Sequence, residues 1–279
     1  MKLVRFGDAG AEKPGLVDAD GALRDLSGIL KDIDGTALGD DSLARLRAID
    51  ASSLPKVSGT PRFGPPVANS RKFIAIGLNY SDHAKESNMP IPKEPVVFNK
   101  ATSCIMGPND TVVLPKGSVK GDWEVELAFV IGKRAKNVAE ADALDYVAGY
   151  MICNDVSERE WQLERGQTWD KGKGFDTFGP IGPYLVTRDE IPDPQNLAMW
   201  LNGQRMQTGN TNTMIFTVRQ LVAYVSFLCT LEPGDIITTG TPPGVGMGMK
   251  PNPVFLKAGD VMRVGIDGLG EQRQEVRGS

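Results

Sequence analysis

Trp123-Glu124-Val125-Glu126-Leu127-Ala128-Phe129-Val130 is the stretch on which the reading of this 279-residue chain turns. Side chains alternate along a strand, so Glu124 and Glu126 share one face, which Ala128 and Val130 continue. Val125, Leu127 and Phe129 occupy the other. Apart from the two carboxylates both faces are apolar, as in a strand covered on both sides. Two neighbouring carboxylates in such a place repel each other and lose hydration. Either a cation compensates them or one takes up a proton. The competing reading is a solvated strand decorated with two glutamates, because Glu-x-Glu alone is a weak signal.

A second apolar run, Val147 to Asp155, also ends in a carboxylate. Three carboxylates without sulfur or imidazole suit a hard, oxygen-loving ion, so Mg²⁺ or Mn²⁺ is favoured over Zn²⁺. Further strands are expected at Phe73–Ile76, Val96–Asn99, Thr111–Leu114, Gly182–Val186, Asp235–Thr239 and Val261–Ile266. Helices are expected at Tyr80–Ser87, Ser157–Arg165 and Thr217–Leu231. Strands outnumber helices and do not alternate with them, which predicts an α+β, mainly β architecture and not a doubly wound sheet. Towards the N-terminus, Asp20-Gly21 marks a hairpin turn, and Leu43, Leu46 and Ile49 have helical spacing. Prolines 55, 61, 65 and 66 exclude regular helix from the segment that follows. These features predict a small N-terminal domain with linker over residues 1–66 and a catalytic domain over residues 67–279.

The single histidine, His83, stands three residues before Glu86, on the same face of a short helix. An imidazole with a carboxylate partner can position and deprotonate water. An exposed histidine in a surface helix is the plainer alternative. Lys171 and Lys173 lie between small residues, where an ammonium can approach a ligand or simply sit on a flexible loop. The glycine-rich stretch Thr239 to Met249 is neither a P-loop nor a dinucleotide fingerprint. Its amides and the Thr241 hydroxyl suit a carboxylate, and equally a plain turn. The net charge of −4 argues against a nucleic-acid surface. The three cysteines have no metal-binding spacing and fit a reducing compartment. The N-terminus reads as a strand and no segment reads as a membrane span, so a cytoplasmic protein is expected.

Five segments, in order, resemble the fumarylacetoacetate hydrolase family. They are Gly-Leu-Asn-Tyr-x-x-His-x-x-Glu at 77–86, Glu-x-Glu at 124–126, Asn-Asp-Val-Ser-Glu-Arg at 154–159, Lys-Gly-Phe-Asp-Thr-Phe-Gly-Pro at 173–180 and Thr-Gly-Thr-Pro-x-Gly-Val-Gly at 239–246. The resemblance implies a mixed β-roll, a homodimer, and a small-molecule keto acid as substrate. It implies metal ligation by Glu124, Glu126 and Asp155. His83 and Glu86 would be a water-activating pair on a closing lid, and Lys173 the lysine that stabilises an enolate. Arg159, Gln162 and Thr241 fall where family members hold substrate, whereas Lys171 has no counterpart. The acylpyruvase branch carries a cationic residue where this chain has Leu78, which points away from simple acylpyruvates. The wording around Leu78 and Lys13-Pro14-Gly15 is closer to bacterial proteins that cleave 2,4-diketo-3-deoxy sugar acids such as the L-rhamnonate derivative, or that bear the name ureidoglycolate lyase. Oxaloacetate decarboxylation, acylpyruvase action and non-catalytic binding of a metal or carboxylate are the alternatives.

Overall fold

The computed structural model describes residues 1–86, 90–166, 168–191 and 195–279. A long mixed sheet runs in the order Leu23–Asp25, Lys13–Val17, Lys2–Phe6, Gly179–Thr187, Val147–Asn154, Val125–Ile131, Ile236–Thr238, Phe73–Gly77 and Val96–Lys100. Its neighbours are antiparallel except for Ile236–Thr238 beside Phe73–Gly77, and the short strand Ile105–Met106 joins parallel to Gly179–Thr187. A second sheet runs Gln204–Asn210, Asn196–Leu201, Val261–Ile266, Gly270–Gly278 and Val112–Leu114. The expected α+β, mainly β fold is thus observed.

Every residue of Val125–Ile131 is buried. Val125 and Leu127 pack in one cluster with Leu197 and Val264 of the second sheet. Phe129 and Ile131 pack in another with Leu221, Val222 and Val225, from the helix Val218–Leu228. Thr217 caps that helix, and Gln220 completes a reciprocal capping box. The helix is shorter than the expected Thr217–Leu231. It stops before Cys229, which is extended, and Leu231 pairs instead with Ala135.

The N-terminal strands extend the long sheet. Lys2–Phe6 pairs with Gly179–Thr187, and Leu3, Leu16 and Leu26 belong to the cluster that holds Val125. The proline-rich segment after it lies along these strands, with Phe63 bridged to Phe6 and Lys56 to Arg24.

The expected helix Ser157–Arg165 is corrected. Ser157–Glu158 is a short strand paired with Gly121–Asp122, and a single π-helical turn follows over Glu160–Glu164. Buried Glu158 is the reason. Its carboxylate accepts the amides of Lys120 at 2.8 Å and Trp161 at 2.9 Å, which ties the segment across to its neighbour before any helix can start. Asn196–Leu201 and Gln204–Asn210 form an unexpected hairpin around Asn202-Gly203, both at positive φ. Among the described residues, no helix is long and apolar enough to cross a membrane.

Candidate active site

Adjacent strands bring the three carboxylates together. Glu124 immediately precedes Val125–Ile131, and Asp155 follows the paired strand Val147–Asn154. The Asp155 amide donates to the Glu124 carbonyl at 2.9 Å, and the Glu124 amide to the Asn154 side chain at 3.1 Å, which locks their register. One oxygen from each of Glu124, Glu126 and Asp155 lies within 4.8 Å of the others, and all three residues are buried.

Three cations surround them. Lys173, only 1% exposed, donates to Glu124 Oε2 and to Asp155 Oδ2, each at 2.7 Å. Arg159 reaches Glu124 Oε1 at 2.7 Å and Asp122 Oδ2 at 2.8 Å. Lys100 donates to Asp155 Oδ1 at 2.6 Å. Glu126 makes no ion pair among the described residues; its Oε2 accepts the Gly240 amide at 2.9 Å.

The two glutamates are therefore driven in opposite directions. Burial alone would raise both. For Glu124 the charges of Lys173 and Arg159 outweigh burial and hold its carboxyl well below the usual range. For Glu126, burial and then the negative charges of Asp155 and Glu124 push it well above that range. A carboxyl so disfavoured as an anion, beside two other carboxylates, is what a bound cation offsets. The all-oxygen donor set fits a hard divalent ion without distinguishing Mg²⁺ from Mn²⁺. The cluster can therefore coordinate a divalent metal.

Glu124, Glu126 and Lys173 open onto a cavity of about 290 Å³. On its wall stand His83 and Glu86, with His83 Nδ1 3.0 Å from Glu86 Oε2. Both lie on the helix Ser81–Glu86. Asn79 anchors that helix: its buried amide group donates to the carbonyls of Phe216 and Thr239 and accepts the Phe216 amide. Glu86 also accepts the Gly244 amide, at 3.1 and 3.3 Å, so the glycine-rich loop holds the carboxylate that faces the imidazole. His83 is 8% exposed, which sets aside the exposed-histidine alternative.

Arg159 and Gln162 line the same cavity, with Gln162 Oε1 accepting from Arg159 at 2.9 Å. The remaining Arg159 nitrogen, Nη2, is buried without a partner among the described residues. Thr241 is also on the wall, but its hydroxyl donates to the Val125 carbonyl and accepts from Gln207. Leu78, at φ +53°, joins the strand Phe73–Gly77 to the helix and presents an apolar face to the cavity. Asp155 is fully buried and is not among the residues of the wall. Lys171 points elsewhere, to the Arg165 carbonyl.

Two residues of the site escape the sequence reading. Lys100 ends a strand read one residue too short. Asp122 accepts Arg159 together with the amides of Gly246 at 2.7 Å and Met247 at 3.0 Å, which ties the arginine to the glycine-rich loop. A signal for it was present: Asp122 stands two residues before Glu124, in phase with both glutamates.

A mainly β fold that gathers buried carboxylates and cations beneath a polar-and-apolar cavity defines a metal-capable protein for small anionic ligands. The chain belongs to the fumarylacetoacetate hydrolase family: residues 72–277 match the fumarylacetoacetate (FAA) hydrolase C-terminal domain. It is 67% identical to a protein of Burkholderia ambifaria given a hydrolase name that specifies no substrate, with 99% of each chain covered. Among solved structures it is similar to fumarylacetoacetate hydrolase from Exiguobacterium antarcticum, at 34% identity and a TM-score of 0.85 over 100% of both chains. It is also similar to maleylpyruvate hydrolase from Sphingobium sp. SYK-6, solved with manganese(II) and pyruvate, at 31% identity and a TM-score of 0.82 over 100% of both. The family fold and the buried carboxylate cluster at the cavity are consistent with a hydrolase or isomerase acting on a small keto acid.

Proposed function

We propose that the protein is a divalent-metal-dependent hydrolase that cleaves a carbon–carbon bond of a 2,4-diketo acid and releases pyruvate. The observation that carries this reading is the His83–Glu86 pair, 3.0 Å apart, on the wall it shares with Glu124 and Glu126. A pair that activates water is needed for hydrolysis, whereas simple ligand binding has no use for one. The manganese and pyruvate in the Sphingobium maleylpyruvate hydrolase support the same product and the same kind of ion.

A Mg²⁺ or Mn²⁺ ion held by Glu124, Glu126 and Asp155 would supply positive charge for a 2-keto carboxylate. His83, oriented by Glu86, takes a proton from water, and that water attacks the 4-keto carbon. The bond between carbons 3 and 4 breaks. Its electron pair passes into a pyruvate enolate, and carbon 4 becomes the carboxyl of the second product. The Lys173 ammonium stabilises the enolate oxygen, and protonation at carbon 3 yields pyruvate. Arg159 and Gln162 hold the substrate's polar groups, with Thr241 closing the wall beside them.

We assign the substrate's tail to a 2,4-diketo-3-deoxy sugar acid such as the L-rhamnonate derivative. The small cavity, the polar Gln162 and Lys250 on its wall, and Leu78 in place of a cation support that assignment. The test is turnover by purified protein with Mg²⁺ or Mn²⁺, offered diketo-deoxy sugar acids, acylpyruvates, oxaloacetate and ureidoglycolate. Equimolar pyruvate and a second acid, formed fastest from the diketo sugar acid, is the expected result. Turnover of oxaloacetate or ureidoglycolate with no diketo acid cleaved would replace the hydrolase reading by a decarboxylase or lyase.

A further inference from the structure

Lys100 is 2% exposed, and no step proposed above uses it. A buried ammonium is costly unless its donors are met. This one has three donors and three acceptors around it. It donates to Asp155 Oδ1 at 2.6 Å, to the Lys173 carbonyl, and to the Val156 carbonyl at 3.5 Å. The other Asp155 oxygen meets the Lys173 ammonium, which also binds Glu124. One side chain at the end of Val96–Lys100 thus grips a carboxylate of the cluster, the backbone beside it, and the backbone of the site's lysine. With its donors so committed, Lys100 has none left for a substrate.

We propose that Lys100 is a positioning residue, which fixes which oxygen of Asp155 faces the cluster and holds Lys173 in register with Glu124. The inference rests on the metal-site reading above. It is separable from a purely electrostatic role because the two accounts predict opposite signs. A positive charge 2.6 Å from a ligand carboxylate weakens its hold on a dication, so charge alone predicts tighter binding when Lys100 is removed. Loss of positioning predicts weaker binding, on the usual scale of about 10- to 100-fold for a partner that orients a ligand.

The experiment is titration of metal-free protein with Mn²⁺, followed by calorimetry or the manganese electron-spin signal, without substrate. Parental protein that binds no Mn²⁺ would refute the metal site itself, and with it this inference. With parental binding established, Lys100→Met is expected to lower Mn²⁺ affinity by about tenfold or more. Lys100→Arg keeps the charge, but its planar donors cannot meet three divergent acceptors, so its affinity should fall between the two. It is also the variant that serves if Lys100→Met does not fold. Parental or tighter Mn²⁺ binding by either folded variant would overturn the proposal.

Discussion

His83 and Glu86 touch each other and the cavity, but neither belongs to the carboxylate cluster. That separation makes a sharp prediction for single residues. His83→Ala and Glu86→Gln should leave Mn²⁺ and pyruvate binding near parental while hydrolysis falls by about 10²-fold or more, the scale for losing an acid–base group. Parental turnover by His83→Ala with metal bound would remove its assigned role, since the chain has no other histidine. Glu126→Gln should behave differently. It removes the carboxylate that burial and its neighbours most oppose as an anion, so a calorimetric Mn²⁺ titration should show weaker binding, with hydrolysis recovering in part at high metal. Unchanged Mn²⁺ affinity would exclude Glu126 from the ligand set.

At the scale of elements, the glycine-rich loop and the helix Ser81–Glu86 act as one unit through the Gly244–Glu86 hydrogen bonds. Gly244 has φ +103°, and a Cβ there would lie 2.1 Å from the Met206 carbonyl oxygen. Gly244→Ala should therefore shift the loop away from Glu86 and lower kcat on the order of 10- to 100-fold, with Mn²⁺ affinity much less affected. If kcat is retained, the loop does not position Glu86. A lid over residues 79–90 is the related expectation, although residues 87–89 lie outside those described. Hydrogen exchange of residues 81–86 should slow when a pyruvate analogue binds, and equal protection in both states would count against closure. The helix Val218–Leu228 is a control: Thr217→Ala removes its cap, which should cost about 1 kcal/mol of stability with little change in kcat.

These elements were not equally legible in the sequence. Trp123 to Val130 could be read because its apolar alternation holds on both faces and only two charges interrupt it. Asn196–Leu201 and Gln204–Asn210 went unread because polar residues fill much of the second strand, yet the Asn202-Gly203 turn marked the hairpin. Glu158 defeated the helix expected around it, because what a buried carboxylate binds depends on a segment some forty residues away. Lys100 was hidden for the same reason. Nothing local distinguishes a lysine at a strand end in water from one enclosed by Asp155 and the Lys173 backbone.

For the molecule as a whole, a cation that binds the folded state and not the unfolded chain must stabilise it. At a Mn²⁺ concentration about 100 times its dissociation constant the gain is about 2.7 kcal/mol. The melting temperature should rise by several degrees and return to its starting value on chelation with EDTA. The same experiment on Glu126→Gln should show a smaller rise. No shift in the parental protein at saturating Mn²⁺ or Mg²⁺ would argue that the cluster is a structural ion network alone.

The pairing of distant segments sets a timetable for the molecule's assembly. Lys2–Phe6 meets Lys13–Val17 early but its second neighbour only at Gly179–Thr187. Phe73–Gly77 has Val96–Lys100 nearby but gains Ile236–Thr238 much later, and Val112–Leu114 pairs at Gly270–Gly278. On a ribosome adding about 5–20 residues per second, the first strand waits many seconds for that second neighbour. Such separations also favour slow folding, because loops must close before their contacts reward them. Glu124, Glu126 and Asp155 emerge before Lys173, so during synthesis two of the carboxylates precede the lysine that pairs with them. The protein's yield should therefore depend on synthesis rate and temperature more steeply than the stability of the finished protein does.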